Sequence, residues 1–244
     1  MAVSIIRYRD SAKNAGIRGL GKMRLRFVLL STVVVGQIAL LGQPAAADPV
    51  LSMYGGFQTA PHSTVSVTDG TEFVAGWQGK SFAMPPYWGV RGTWWLTDMG
   101  YDNIGLSIDY SHAKVYADKE TLNTKTPGWT HFEFTDGINL VTANVLYRFK
   151  SPDRAWTPYI GAGLGANVPH VEVIRPSGKT WNYQVGGVTG QLQAGIDYKF
   201  TDHISAFSEY KLNYSHVNVD IDSGDSLKTN ILTHAINVGL SYHF

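Results

Sequence analysis

The sequence AINVGLSYHF, residues 235–244, alternates apolar and polar side chains up to its final residue. One face is apolar and is formed by Ile236, Val238, Leu240, Tyr242 and Phe244. The other is small or polar and is formed by Asn237, Gly239, Ser241 and His243. Because successive strand residues point to opposite faces, this pattern predicts a strand between lipid and a polar interior. A strand of this kind that ends on an aromatic residue is typical of a transmembrane β-barrel.

The same alternation recurs along the chain from Asp48 onward, in segments close to the roughly 9–11 residues that cross a membrane as a tilted strand. Eight strands are predicted at residues 50–59, 86–96, 104–111, 141–149, 156–168, 191–200, 204–214 and 236–244. Short connections at residues 97–103, 150–155 and 201–202 alternate with long ones at 60–85, 112–136, 169–183 and 216–228. We therefore predict an all-β fold, an eight-stranded antiparallel transmembrane β-barrel of the outer membrane with both termini in the periplasm. A soluble β-sandwich also alternates, but it does not account for charges on one face and aromatic ends on the other.

Residues 1–47 have the features of an N-terminal extension and secretory signal peptide. Three basic residues precede an apolar run at 27–41, and they are Lys22, Arg24 and Arg26. Three alanines at 45–47 form a small-residue cleavage site, so residues 48–244 are predicted as the barrel domain. Met23 is an alternative start to Met1, and an uncleaved N-terminal anchor is the alternative to a signal peptide.

Composition excludes several kinds of chemistry. The chain has no cysteine, so it offers neither a disulfide nor a catalytic thiolate. A formal net charge of +1 argues against nucleic acid as a partner. There is no GxSxG nucleophile motif, no P-loop and no GxGxxG before a helix, so neither serine hydrolysis nor nucleotide binding is indicated.

Charged residues are predicted inside the barrel. An eight-stranded barrel is filled by side chains, and buried charges must pair. By strand parity the filling includes Arg91, Asp109, Arg148, Asp197, Glu209 and Lys211. A salt-bridged plug is one interpretation of this set. The alternative is that Glu209 or Asp109 lies near the outer mouth and acts as a base.

Histidines and carboxylates concentrate in the predicted outer loops and strand ends. The histidines are His62, His112, His131, His170, His216 and His234. The carboxylates are Asp118, Glu133, Asp136, Glu172, Asp220 and Asp222. Imidazole and carboxylate together suit a divalent transition metal, although the spacing contains no compact ligand motif and solvated loop residues are the alternative. The same loops carry a basic set that suits phosphates and acidic sugars or simply aids solubility, namely Lys80, Lys114, Lys119, Lys125, Arg175, Lys179 and Lys228.

Longer phrases of the sequence resemble the rhizobial-type lipid A oxidase family. They are FQTAPHS (57–63), GWQGKSFAMPPYWGVRGTWW (76–95), HAKVYAD (112–118), FEFTDGIN (132–139), PYIGAGLGANVPHVEV (158–173) and EYK (209–211). The resemblance implies an outer-membrane enzyme that oxidises the proximal glucosamine of lipid A to 2-aminogluconate. It also implies dioxygen as electron acceptor, hydrogen peroxide as by-product, a divalent metal ion, and lipopolysaccharide and the bilayer as partners.

The chemistry that such an oxidation needs indicates which residues could form the site. Side chains accept electrons poorly, so a cofactor must do so, and a metal is the simplest choice for this chain. We predict metal ligands at His62, His112 and His170, helped by Asp118, Glu133 or Asp136. Glu209 is the predicted base, and Lys80 and Lys114 are predicted to hold a phosphate or carboxylate of lipid A. His131, His216 and His234 lie outside the resembling segments or at their margins and carry less weight in this prediction.

The oligomeric state predicted for this barrel is a monomer. Two further functions remain open at this stage. One is a non-enzymatic structural or surface-interaction barrel. The other is a lipid A acyl hydrolase or acyltransferase.

Overall fold

The computed structural model describes residues 48–126, 128–134 and 137–244. The predicted signal peptide at 1–47 and the predicted ligand Asp136 lie outside the described residues. No helix among the described residues is long and apolar enough to cross a membrane. The strands are β1 (Asp48–Thr59), β2 (Ser63–Val67), β3 (Glu72–Ala75), β4 (Trp77–Gln78), β5 (Trp88–Trp95), β6 (Ile104–His112), β7 (Val115–Ala117), β8 (His131–Phe134), β9 (Leu140–Arg148), β10 (Trp156–Asn167), β11 (His170–Arg175), β12 (Gly178–Tyr183), β13 (Gly187–Lys199), β14 (Ile204–Asp220) and β15 (Ser226–His243).

Eight of these strands form a closed antiparallel barrel, which confirms the predicted fold. Their order is β1-β5-β6-β9-β10-β13-β14-β15, and β15 pairs back onto β1. The closing pair runs from Val50 opposite His243 to Thr59 opposite His234. Closure satisfies the backbone groups of both strand edges, which a membrane demands because lipid offers no hydrogen bonds.

The outer surface of the barrel is apolar and the interior is polar, as the alternation predicts. On β15, Ile236, Val238 and Leu240 are 61–64% exposed, whereas the intervening Asn237 is fully buried. The exposed apolar face is the lipid-facing one, and the buried polar residues fill the barrel. We call the end that carries the connections β5–β6, β9–β10 and β13–β14 the short-turn end, and the opposite end the long-loop end.

Four of the six predicted interior charges form one ion-pair network. The carboxylate of Glu209 lies 2.6 Å from Arg91, and that of Asp109 lies 2.8 Å from Lys211. All four side chains are at most 4% exposed. The other two charges lie apart from this network. The Arg148 guanidinium donates to the backbone oxygen of Asp102, and Asp197 accepts a hydrogen bond from Ser205.

The segments predicted as long loops are largely folded, and this differs from the sequence prediction. β12, β11, β8, β7 and β4 form a second sheet, here called the cap sheet. β2 and β3 extend the barrel sheet beyond β15. The last two barrel strands also continue far into the predicted fourth loop, since β14 ends at Asp220 and β15 begins at Ser226.

A hydrophobic core explains the extra structure at the long-loop end. The inward residues of β14 and β15 become apolar there, with Val217 and Leu227 fully buried. They belong to one cluster with cap-sheet residues such as Phe132, Phe134 and Val173. The inward face is therefore polar inside the barrel and apolar beneath the cap. Because of this change of polarity, the alternation of apolar and polar residues does not predict the strand extensions.

Candidate metal centre

The cap sheet has an apolar face that packs on the core and an opposite face that carries polar side chains. In β8 the core residues Phe132 and Phe134 alternate with His131 and Glu133. In β11 the core residues Val171 and Val173 alternate with His170 and Glu172. Each strand thus presents a His-Xaa-Glu pair on one face, because side chains two residues apart in a strand point the same way.

Antiparallel pairing of β8 with β11 brings the two pairs together. Glu133 lies directly opposite Glu172, and His131 lies opposite Ile174. The Nε2 atom of His131 is 2.8 Å from a Glu133 oxygen and 3.2 Å from a Glu172 oxygen. One ligand atom from each of these three side chains lies within 4.8 Å of the others. We call His131, Glu133 and Glu172 the triad.

The second histidine orients the triad. The Nδ1 atom of His170 lies 2.7 Å from the other oxygen of Glu172, and both side chains are buried. Aromatic residues of β12 hold the two imidazoles: Trp181 stacks on His131 with ring centroids 6.0 Å apart, and Tyr183 lies 4.5 Å from the ring of His170. In metal sites, a hydrogen-bond partner such as His170 fixes the orientation of the ligand that it contacts.

The donor set of the triad fits a divalent metal ion. One imidazole nitrogen and two carboxylate oxygens suit first-row transition metals, and three protein ligands leave coordination positions open. Glu172 is 3% exposed and Glu133 is half-buried, so the triad is accessible from one side. Two facing carboxylates also repel one another. A cation bound between them would remove that repulsion.

A surface cleft of about 500 Å³ adjoins the triad. Its lining includes His131 and Glu133 together with Lys80, Asp118 and Lys119. Three predicted site residues, Lys80, Asp118 and Glu133, therefore meet at one cleft. The ammonium of Lys80 lies 4.0 Å from the ring centroid of Tyr116, a cation–π contact that holds this charge at the rim.

The other predicted ligands lie around the triad rather than in it. Asp118 accepts the backbone N–H of Thr121 at 2.7 Å and so caps a short helical turn. Hydrogen bonds from Thr121 lower the pKa of Asp118, with a smaller contribution from the charge of His62. His62 itself is exposed. His112 is buried, and its Nδ1 lies 3.1 Å from the side-chain oxygen of Asn139.

Two predicted site residues are already engaged by protein groups. Lys114 is fully buried, and its ammonium donates to the backbone oxygens of Ala83 and Pro85 at 2.9 and 2.7 Å. Glu209 belongs to the interior network, where it also accepts hydrogen bonds from Tyr159 and Asn237. The structure therefore places neither residue at the cleft.

Sequence reasoning missed the full triad because His131 and Glu172 were not among the chosen ligands. A signal for them was present in the sequence. HFEF (131–134) and HVEVIR (170–175) are two short alternating segments that each hold a His-Xaa-Glu pair. Glu133 and Glu172 are far apart in the sequence. Only the pairing of β8 with β11 shows that the two segments form one site.

Comparison with known proteins identifies the barrel. Residues 32–244 match the family described as the outer membrane protein beta-barrel domain. The structure of AlkL in lipid bilayers is 15% identical, with a TM-score of 0.50 over 82% of this chain and 90% of that one. Neisserial surface protein A is 16% identical, with a TM-score of 0.44 over 80% and 97%. OprG from Pseudomonas aeruginosa is also 16% identical, with a TM-score of 0.45 over 82% and 97%.

No curated protein sequence matches this chain. At these identities the structural neighbours show the fold alone, whereas the family match covers most of the sequence. The closed barrel with its lipid-facing exterior agrees with that match. The chain is therefore a bacterial outer-membrane β-barrel and belongs to the outer membrane protein beta-barrel domain family.

Proposed function

We propose that this barrel is a lipid A oxidase that converts the proximal glucosamine to 2-aminogluconate with dioxygen as electron acceptor. The observation that carries the proposal is the placement of two His-Xaa-Glu pairs opposite one another beside a cleft. The segment resemblance supports the choice of substrate. In this proposal the termini are periplasmic and the long-loop end faces the cell exterior, where lipid A forms the outer leaflet.

The reaction defines what the cleft must do. The C1–H bond of the hemiacetal breaks, the hydroxyl proton goes to a base, and the two electrons with the C1 proton go to dioxygen. The base then passes the hydroxyl proton to the peroxide. The products are a lactone and hydrogen peroxide, and water opens the lactone to the acid. A redox-active divalent metal held by the triad would supply the electron transfer that side chains cannot.

The protein's own groups supply binding and proton transfer. Lys80 at the cleft rim would hold a phosphate or carboxylate as a point charge. Glu133 offers one carboxylate oxygen as a ligand of the triad. We assign proton acceptance to its second carboxylate oxygen, since this side chain lines the cleft. Glu209 is less suited, since its oxygens already bind Arg91 and Tyr159 inside the barrel. His170 would keep Glu172 in the orientation that the triad requires.

Mass spectrometry of lipid A tests this function directly. Detergent-purified protein is incubated in air with lipid A that has a free reducing end, with and without a chelator. We expect one added oxygen on the proximal sugar and release of hydrogen peroxide, both lost under chelation or without dioxygen. Glu172→Gln should lose the activity, and Glu120→Gln, a cleft residue outside the triad, should retain it.

Two results would overturn the proposal. Unchanged lipid A from a folded barrel loaded with divalent metal would favour a non-enzymatic interaction barrel. Loss or gain of an acyl chain would favour an acyl-modifying enzyme.

A further inference from the structure

The two most exposed large apolar side chains among the described residues lie in one loop at the long-loop end. Met84 is 84% exposed and Phe82 is 77% exposed. They belong to the segment between β4 and β5, and we call residues 81–87 the apolar loop. Exposed apolar residues this close together mark an interaction surface rather than ordinary surface variation.

The apolar loop is tightly anchored. The buried ammonium of Lys114 donates to the backbone oxygens of Ala83 and Pro85, on either side of Met84. The Ser81 hydroxyl bonds both the backbone N–H and the backbone oxygen of Gln58. Burying an ammonium is costly unless hydrogen bonds compensate it. A fold that buries Lys114 to hold this loop keeps Phe82 and Met84 in a defined position.

That position continues the barrel wall. β1 pairs with β5 only as far as Gly55 opposite Trp88, although β1 runs on to Thr59. Beyond that point the backbone N–H of Gln58 donates to the side-chain hydroxyl of Ser81 instead of pairing with a β5 residue. Gly79 approaches so closely that a Cβ atom there would lie 2.0 Å from the Gln58 oxygen. The apolar loop therefore continues the barrel wall at the long-loop end of β5.

Exposed aromatic residues of the barrel wall lie next to both ends of this loop. Phe57, next to Gln58, is 57% exposed on the outward face of β1. Trp88, the first residue of β5, is 37% exposed and lies 5.4 Å from the ring of Tyr110. Aromatic residues of this kind mark the membrane interface in outer-membrane barrels. Phe82 and Met84 add exposed apolar side chains at this end of the lipid-facing belt.

We propose that the apolar loop is embedded in the membrane leaflet at the long-loop end and binds lipid acyl chains through Phe82 and Met84. Ser81 follows Lys80, a residue that lines the cleft. In this proposal the polar head of a lipid whose chains contact Phe82 lies towards Lys80. If that lipid is lipid A, which rests on the function proposed above, the loop holds the substrate's chains while its sugar lies in the cleft.

Site-directed spin labelling tests the location of the loop. The chain has no cysteine, so Met84→Cys and Phe82→Cys each provide a single labelling site. Labelled barrels are reconstituted in phosphatidylcholine vesicles, and folding is checked by the heat-dependent shift on gels. The measurement is the ratio of collisions with dioxygen, which enters lipid, to collisions with a water-soluble nickel chelate.

Two matched sites calibrate that ratio. Leu106→Cys lies on the lipid face of β6, and Lys119→Cys is exposed at the cleft. We expect both loop sites to favour dioxygen, as Leu106→Cys does, and Lys119→Cys to favour the chelate.

Two outcomes would overturn the proposal. One is a loop site that behaves like Lys119→Cys, which would place the loop in water. The other is exclusion of both reagents with spin–spin broadening, which would show a second copy of the chain as the occupant. Because the measurement needs no turnover, its result is independent of whether the barrel oxidises lipid A.

Discussion

Glu133 lies directly opposite Glu172 across the β8–β11 pair, and one imidazole nitrogen of His131 contacts both carboxylates. Like charges directly opposite in a sheet are destabilising. The cap sheet therefore carries a repulsion that a divalent cation bound by the triad would relieve. We expect the stability of the cap to depend on occupancy of the triad.

We predict that divalent transition metal ions stabilise the folded barrel through this triad. A ligand at 100 times its dissociation constant stabilises by about 2.7 kcal/mol. Thermal unfolding followed by circular dichroism, with and without Mn²⁺ or Zn²⁺, measures the effect. Glu172→Gln should lose the metal-dependent rise, measured against the same variant without metal. An equal rise in Glu172→Gln would place the metal elsewhere.

His170 is predicted to act on the metal through Glu172. It contacts the carboxylate that His131 also contacts, but on the other oxygen. Loss of such an orienting residue typically lowers metal affinity about 10–100-fold. Titration calorimetry of His170→Ala should show that decrease, and His131→Ala should show a larger one. His216→Ala, whose ring bonds Asn230 on the last hairpin, is the control and should match the wild type.

The barrel could be predicted from sequence because its two environments differ in polarity. Outward residues such as Val238, Leu240 and Tyr242 meet lipid, while the intervening Gly239 and Ser241 do not. The prediction failed where that contrast ends. At Val217 and Leu227 the inward residues are apolar because they pack under the cap, so the strands ran further than the alternation indicated.

The candidate site was less predictable, for a reason of geometry. Alternation within HFEF places His131 and Glu133 on one face, but it does not state which strand pairs with theirs. That register is set by the shared core of Phe132, Phe134 and Val173, which is a tertiary property. The sequence could therefore indicate Glu133 and His170 as candidate site residues. It could not show that their two strands pair.

A variant of the interior network distinguishes a structural role of Glu209 from a catalytic one. Glu209 pairs with Arg91, and both are buried. Removing one partner of a buried ion pair costs about 3–5 kcal/mol, because it leaves an uncompensated charge. Glu209→Gln should lower the stability of the barrel in urea by that order, and Arg91→Gln with Glu209→Gln should restore part of it. Full stability with lost oxidation in Glu209→Gln would instead support the base role predicted from sequence.

A cluster at the last hairpin predicts a pH limit for the long-loop end. Arg175 binds Asp69, Asp222 and Asp225 at 2.6–2.8 Å. Burial alone would raise the pKa of Asp222, but the hydrogen bond and charge of Arg175, together with hydrogen bonds from Ser177 and Ser223, outweigh it and lower the pKa. A hydrogen bond from the Thr71 backbone likewise lowers the pKa of Asp69. A depressed carboxyl pKa stabilises the fold above the unfolded value, and that contribution is lost as the pH falls through the folded value.

Hydrogen exchange of the segment 220–226 at a series of pH values measures this dependence. Protection should be constant from neutral pH down to about pH 4, near the ordinary pKa of aspartate, and should fall below it. Arg175→Met should be less protected at neutral pH already, since three carboxylates lose their partner. Lys179→Met changes an exposed charge of the neighbouring strand and should leave the profile unchanged.

Lys80 and Lys114 were both predicted to bind substrate, and the structure gives them different expected phenotypes. Lys80 lines the cleft, whereas Lys114 is buried beneath the apolar loop. A hydrogen bond to a charged group contributes about 1.5–3 kcal/mol, so Lys80→Ala should lower kcat/KM for lipid A by roughly tenfold or more. Its fold and metal affinity should not change, and Lys80→Arg should retain most of the activity. Lys114→Met should instead loosen the apolar loop, measured as greater nitroxide mobility at Met84→Cys. Equal losses of kcat/KM with an unchanged loop in Lys114→Met would mean that the buried ammonium reaches the substrate after all.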